Sequence, residues 1–255
     1  MVCDPITMEL LINIAGGIAL LLWGVRMVRT GITRSFGAEI RQILATSTQH
    51  WGRSFSAGII VTTVLQSSTA TAIIISSFAG RGLVTGSAAL TIMLGADVGT
   101  SIVVQILSFD VGWLSPVLIA IGVFGFLSGD SSKRRSLSRA LIGLGLILLA
   151  LKLIALESAP ARESDIALVI LGSLSNEPLL AIFLAAVLTW LTHSSVSIIL
   201  LVISFSSLQI LSLQLALVLV LGANIGGSIA AVTTTLRSLP AAKRVPIGNL
   251  CVRII

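Results

Sequence analysis

The chain has 255 residues, 55% of them hydrophobic and only 10% charged, with a net charge of +6. A soluble domain carries about 25% charged residues, so this composition, with a mean hydropathy of +1.08, excludes an ordinary soluble fold. The basic excess does not point to nucleic acid, because Lys and Arg sit in short stretches between apolar spans and so set orientation in a bilayer. The apolar stretches are long enough for helices, which satisfy their own backbone in lipid. The short alternating segments of a β-barrel are missing. The fold class expected is an all-α polytopic membrane protein.

The first apolar stretch, about 8–28, is followed by Arg26, Arg29 and Arg34. A secretory signal carries its positive charge before the apolar run, so this stretch reads as a retained transmembrane helix. Arg26 and Lys152 end apolar helices and are expected to snorkel to the interface. Arg29, Arg34, Arg41 and Arg53 form one basic group, Lys133, Arg134, Arg135 and Arg139 a second, and Arg237, Lys243 and Arg244 a third. All three should face the cytoplasm. Asp4, Glu9, Asp110, Glu157, Glu163, Asp165 and Glu177 fall in the remaining stretches, with Arg162 the basic exception.

Both ends of 54–132 are then cytoplasmic, yet the region holds three apolar pieces, about 54–79, 84–108 and 112–128. Two spans and one re-entrant piece satisfy both facts. The piece centred on Gln66-Ser67-Ser68 is polar in the middle and is followed by Arg81. Each of its arms covers roughly 15–18 Å as a helix, half of a hydrocarbon core of about 30 Å. A helix at about 138–156 then leads outward, the piece 178–206 dips in and returns, and 208–235 runs inward to Arg237. The expected organisation is a first repeat over 8–110 with its hairpin at 54–79. A linking helix and basic loop over 111–137 supply the inversion. A second, inverted repeat covers 138–236 with its hairpin at 178–206. A cytoplasmic loop and the truncated start of a further segment occupy 237–255.

The chain contains itself twice. Gln66-Ser67-Ser68-Thr69 is echoed by His193-Ser194-Ser195-Val196, and Gly95-Ala96-Asp97-Val98-Gly99-Thr100-Ser101 by Gly222-Ala223-Asn224-Ile225-Gly226-Gly227-Ser228. Both matches share an offset of 127 (193 − 66 and 224 − 97). Internal duplication in an apolar chain is the mark of a secondary transporter.

In a broken hairpin the returning half-helix presents free N–H groups and its positive dipole end. Two such ends facing each other suit an oxyanion. Ser67, Ser68, Thr69, Ser194 and Ser195 add hydroxyls, and Gln66 and His193 hold equivalent places as donors. The same carbonyls and hydroxyls suit a hard cation such as Na⁺. Ser and Thr also serve plain helix packing in membranes, as do GxxxG pairs. Duplication at the same register favours a site over packing. Asp97 is an acid deep inside an apolar span, and such residues are functional by default. Asn224 is its repeat mate, with Thr100 and Ser228 one turn on; these four are the expected Na⁺ ligands. Cys3 and Cys251 imply no disulfide framework. No catalytic motif supports an enzyme.

These motifs resemble the duplicated QSSS…GANIGT pattern of the type II sodium–phosphate cotransporter family, and Gly24-Val25-Arg26-Met27 is similar to that family's first-helix segment. The resemblance covers about residues 10–250. It implies Na⁺-driven import of inorganic phosphate by alternating access through the inner membrane, with the two hairpins forming the phosphate and Na⁺ sites. It implies no cofactor beyond the coupling ion. Four residues depart from the pattern: His193 stands where Gln is usual, Asp97 where Asn is, Val196 where Ser or Thr is, and Gly227 where Thr is. The resemblance also implies that bacterial relatives often continue with more helices and a cytoplasmic PhoU-like domain, so the 255 residues are expected to be either a short form or a fragment. The alternatives are transport of another oxyanion, proton coupling through Asp97 and His193, or a non-transporting sensor or anchor subunit.

Overall fold

The computed structural model describes residues 5–109, 111–158 and 165–254. Asp4, Asp110, Arg162 and Glu163 of the charge pattern, and Cys3, lie outside them. Regular structure among the described residues is helical. The first helix, α1 (Pro5–Thr46), continues well beyond the expected end near residue 28. Its basic half contains no Pro, and straight-chain Arg side chains lose little rotamer freedom in a helix. The chain bends at Phe36, whose φ of −128° and ψ of 15° leave the helical region.

A 3₁₀ turn (Ser47–Gln49) leads into α2 (Trp51–Leu65) and α3 (Ser68–Gly80). A capped long helix, α4 (Gly86–Leu107), and a shorter one, α5 (Leu114–Leu127), complete the first half. The second half comprises α6 (Ser132–Ser158), α7 (Asp165–Asn176), α8 (Pro178–Thr192), α9 (Ser195–Ser207), α10 (Leu213–Thr235) and α11 (Pro240–Ile254). The helix α7 was not expected, and 237–255 was expected only as a cytoplasmic loop with the start of a further segment. The 165–176 stretch is too short to signal a span, and Lys243, Arg244, Pro246 and Asn249 mask the helical pattern of 240–254. Pro246 lies inside α11.

The helices repeat the sequence offset. Both boundaries of α2 recur in α8, and both of α3 in α9, 127 residues on. The start of α4 recurs in α10 at the same spacing, and the pair α5 and α11 continues it to within a residue. The long α1 corresponds to α6 and α7 together.

Among the described residues, four helices are long and apolar enough to cross a membrane: the 12–46 part of α1, α4, α6 and α10. With large exposed apolar side chains such as Phe124, Leu127, Leu179 and Leu213, this is a multi-pass membrane protein. The helices α2, α3, α8 and α9 have 13 to 15 residues, about 20–22 Å, short of a core of about 30 Å.

Small residues set the close packing. The helices α1 and α6 approach at Gly24 and Gly143, where an added Cβ on Gly143 would lie 2.7 Å from the Gly24 carbonyl oxygen. A Cβ on Gly95 would collide with the carbonyl of Phe55, and one on Gly222 with that of Ile182. Gly99 meets Ile59 as Gly226 meets Ala186. Each of these partner pairs is again 127 residues apart, so α4 lies on α2 as α10 lies on α8. Two apolar clusters result. One holds Leu21, Val25, Ile147 and Ile154 of the α1–α6 crossing with Val196 and Leu200 of α9. The other holds Leu65, Ile75, Ile92 and Ala96 of the first repeat.

Candidate functional site

The breaks between the short helices are built alike. Gln66 ends α2 in the left-handed region (φ 51°, ψ 34°), and His193 ends α8 there too (φ 52°, ψ 30°). For a residue other than Gly this conformation is uncommon, and its occurrence at both tips marks a constraint stronger than local preference. The next residues, Ser67 and Ser194, turn extended and cap the following helices. The Ser67 hydroxyl accepts the Ala70 N–H at 3.1 Å. The Ser194 hydroxyl accepts the Ser197 N–H at 3.3 Å and lies 2.8 Å from the Ser197 hydroxyl. A Ser cap leaves other first-turn N–H groups of α3 and α9 free for a ligand.

The tips meet across the repeats. The Thr69 hydroxyl donates to the Gly227 carbonyl oxygen at 3.3 Å. A Cβ on Gly227 would lie 3.5 Å from the Ser195 Cβ. Thr69 of α3, Ser195 of α9 and Gly227 of α10 therefore form one junction. Ser67, Ser68, Thr69 and Ser195 are all buried. Gln66 and His193 match in backbone but not in surroundings. The Gln66 side-chain oxygen is buried with no hydrogen-bond partner, whereas His193 is exposed. The His193 carbonyl accepts from Arg29 Nη1 at 3.4 Å.

A cavity of about 700 Å³ opens beside the tips. Thr69 and Ala70 of α3, His193 and Ser194 of the second tip, and Arg26 and Arg29 of α1 all line it. The expectation that Arg26 serves only the interface is incomplete, since it shares this cavity with the tips. Arg29 entered the sequence reading only as a topology marker. Its link to the second tip joins residues 164 positions apart, which no local pattern reveals.

The predicted cation ligands gather at a second place. Asp97, Thr100 and Asn224 line a cavity of about 760 Å³ together with Arg253. Both Asp97 carboxylate oxygens bind the Arg253 guanidinium, Oδ1 to Nη2 and Oδ2 to Nε at 3.4 Å. Arg253 Nη1 donates to the Asn224 carbonyl at 2.6 Å. The Thr100 hydroxyl is turned back onto the Ala96 carbonyl at 3.0 Å. Ser228 donates to the Asn224 carbonyl at 3.4 Å and accepts from Asn249 Nδ2 at 3.3 Å. Arg253 and Asn249, both on α11, were missed because 237–255 was read only as a loop and the start of a further segment, with nothing local to tie it to Asp97 or Ser228.

A membrane-spanning helical bundle with duplicated, capped helix tips turned toward an arginine-lined cavity defines a transporter-like class rather than an enzyme. Residues 20–155 and 164–251 match the family model described as Na⁺/Pi-cotransporter, and the chain belongs to that family. It is 42% identical over 245 residues to an Escherichia coli protein named "Putative inorganic phosphate export protein YjbB", covering 96% of this chain and 45% of that protein. The protein of the same name in Salmonella typhimurium is 41% identical over the same length. "Uncharacterized protein YqeW" of Bacillus subtilis is 27% identical over 248 residues and 80% of its own length. The chain thus spans about half the length of the YjbB relatives it matches. No solved structure matches it.

Proposed function

We propose that the protein moves inorganic phosphate across the inner membrane in a Na⁺-coupled, alternating-access cycle. In this reading α2–α3 and α8–α9 are re-entrant hairpins of two inverted repeats. The observation that carries it is the cavity where Arg26 and Arg29 meet the N-termini of α3 and α9. Helix N-termini and guanidinium groups are the two standard partners of a phosphate oxyanion. The hydroxyls of Ser67, Ser68, Thr69, Ser194 and Ser195 fill out its shell, and His193 stands at the rim. The unpartnered Gln66 oxygen suits either a cation or the P–OH proton of monohydrogen phosphate.

Asp97, Asn224, Thr100 and Ser228 supply the oxygen donors for Na⁺ beside the same junction. Cation binding next to the tips raises anion affinity, and by reciprocity the anion raises cation affinity. The direction of net flux follows the gradients. Import was the sequence expectation, while the printed name of the YjbB relatives favours export.

The test is labelled-phosphate flux into proteoliposomes holding the intact protein, with an inward Na⁺ gradient and a matched K⁺ control. Accumulation driven only by Na⁺ supports the reading. Phosphate flux indifferent to Na⁺ removes the coupling, and absence of phosphate flux removes the substrate.

A further inference from the structure

Three of the positions at which the two halves differ form one polar cluster. Asp97 has Asn224 as its repeat mate, Thr100 has Gly227, and Arg253 has Phe126. The differences converge in space. The Arg253 side chain, 7% exposed, reaches from α11 between the repeats. It binds the Asp97 carboxylate and the Asn224 carbonyl together. Gly227 borders the guanidinium, since a Cβ there would lie in ordinary contact with Arg253 Nη1 at 3.5 Å.

A carboxylate and a main-chain carbonyl are the donors a monovalent hard cation takes. A guanidinium is a permanent monovalent charge at protein pH, and here it is tied to the chain. We infer that Arg253 is a tethered cation, holding a position between Asp97 and Asn224 that Na⁺ enters when the side chain is withdrawn. This rests on the Na⁺-coupled reading only for the identity of the free ion. The counter-charge to Asp97 thereby comes from α11 of the other half, and the cation position of the Na⁺-coupled reading is filled by a side chain until that side chain withdraws.

A merely structural ion pair predicts something different. Removing its cation would leave the half-buried Asp97 carboxylate unpaired and the protein damaged, with no preference for Na⁺. The experiment is initial phosphate flux against Na⁺ concentration, at constant ionic strength with K⁺ as replacement, for wild type, Arg253→Gln and Arg253→Lys. Arg253→Gln is expected to show low flux at low Na⁺, recovery at high Na⁺ but not high K⁺, and a steeper Na⁺ dependence than wild type. Arg253→Lys, which keeps the charge, should retain the wild-type steepness whatever its rate.

An unchanged Na⁺ dependence in Arg253→Gln overturns the inference, as does inserted protein inactive at every Na⁺ concentration. Should Arg253→Gln fail to insert, the double variant Asp97→Asn/Arg253→Gln removes both charges, vacates the position and leaves an amide oxygen with the Asn224 carbonyl as neutral donors to the free cation. The same steepening is expected of it, and its absence is equally decisive. The two readings fail separately. Wild-type flux indifferent to Na⁺ sinks Na⁺ coupling, yet Arg253→Gln acquiring a Na⁺ requirement still supports the tethered cation.

Discussion

Two residues per tip decide the local geometry. Gln66 must adopt a left-handed conformation and also leaves a buried oxygen unpartnered. Replacing it with Gly keeps the backbone and removes the amide. Gln66→Gly should insert normally and raise the phosphate half-saturation about tenfold, the equivalent of one lost hydrogen bond of about 1.4 kcal/mol. A binding curve unchanged from wild type would leave the amide without a role. Ser67 and Ser194 each cap a helix, and each cap contributes about 0.5–2 kcal/mol. Ser67→Ala combined with Ser194→Ala should therefore lower the melting temperature in detergent while abolishing flux. Normal flux from that double variant would remove the tips from the mechanism. The tips were legible in the sequence because their polar residues interrupt apolar runs twice at one offset. The arginines facing them were not, since Arg29 and His193 meet only through the crossing of α1 with α9.

At the scale of elements, the closest approaches are made by α4 on α2 and α10 on α8. The glycines there leave no space for a side chain. Gly95→Leu and Gly222→Leu should each destabilise the bundle by at least about 1–3 kcal/mol, the usual cost of overpacking. Gly86 has nothing within 4 Å of an added Cβ, so Gly86→Ala is the matched control. Thermal unfolding in detergent checks both, and equal melting temperatures would disprove the packing account. The GxxxG spacing made these contacts visible in advance. It did not disclose α7 or α11. A helix of 12 residues carries too little apolar length to stand out, and α11 hides behind its charges and an internal Pro. Basic residues in 29–41 similarly disguised the continuation of α1, because charge in a membrane protein reads first as loop.

Across the whole molecule the arrangement is one of matched helices with unmatched charges. Positive side chains line the cavity at the tips, and a neutralised acid lies beyond the junction at Gly227. Arg29→Gln should raise the phosphate half-saturation roughly 10- to 100-fold, the range for losing a hydrogen bond to a charged group of about 1.5–3 kcal/mol. It should also flatten the response of phosphate binding to ionic strength, because screening acts on charge. Binding isotherms at two salt concentrations check this, and an unaltered salt response would place Arg29 outside the anion path. The general class was readable from composition and duplication, and the family from the resemblance of the duplicated motifs. The charge asymmetry was not, since Asp97 and Arg253 lie 156 residues apart and nothing local couples them.

The pairing of Arg253 with Asp97 has a consequence for sidedness. Two identical halves, inverted as proposed, would give a carrier whose two resting forms are mirror states of equal energy, with one affinity for cargo on either face. Phe126 occupies the mate position of Arg253 and carries no charge, so exchanging the roles of the halves cannot reproduce the same contacts. The two forms are then unequal, and so are the affinities at the two membrane faces. Gradients still dictate which way net transport runs. Under the proposed function, that inequality would set at which face cargo is held and at which it is released, and the carrier would have a preferred front and back.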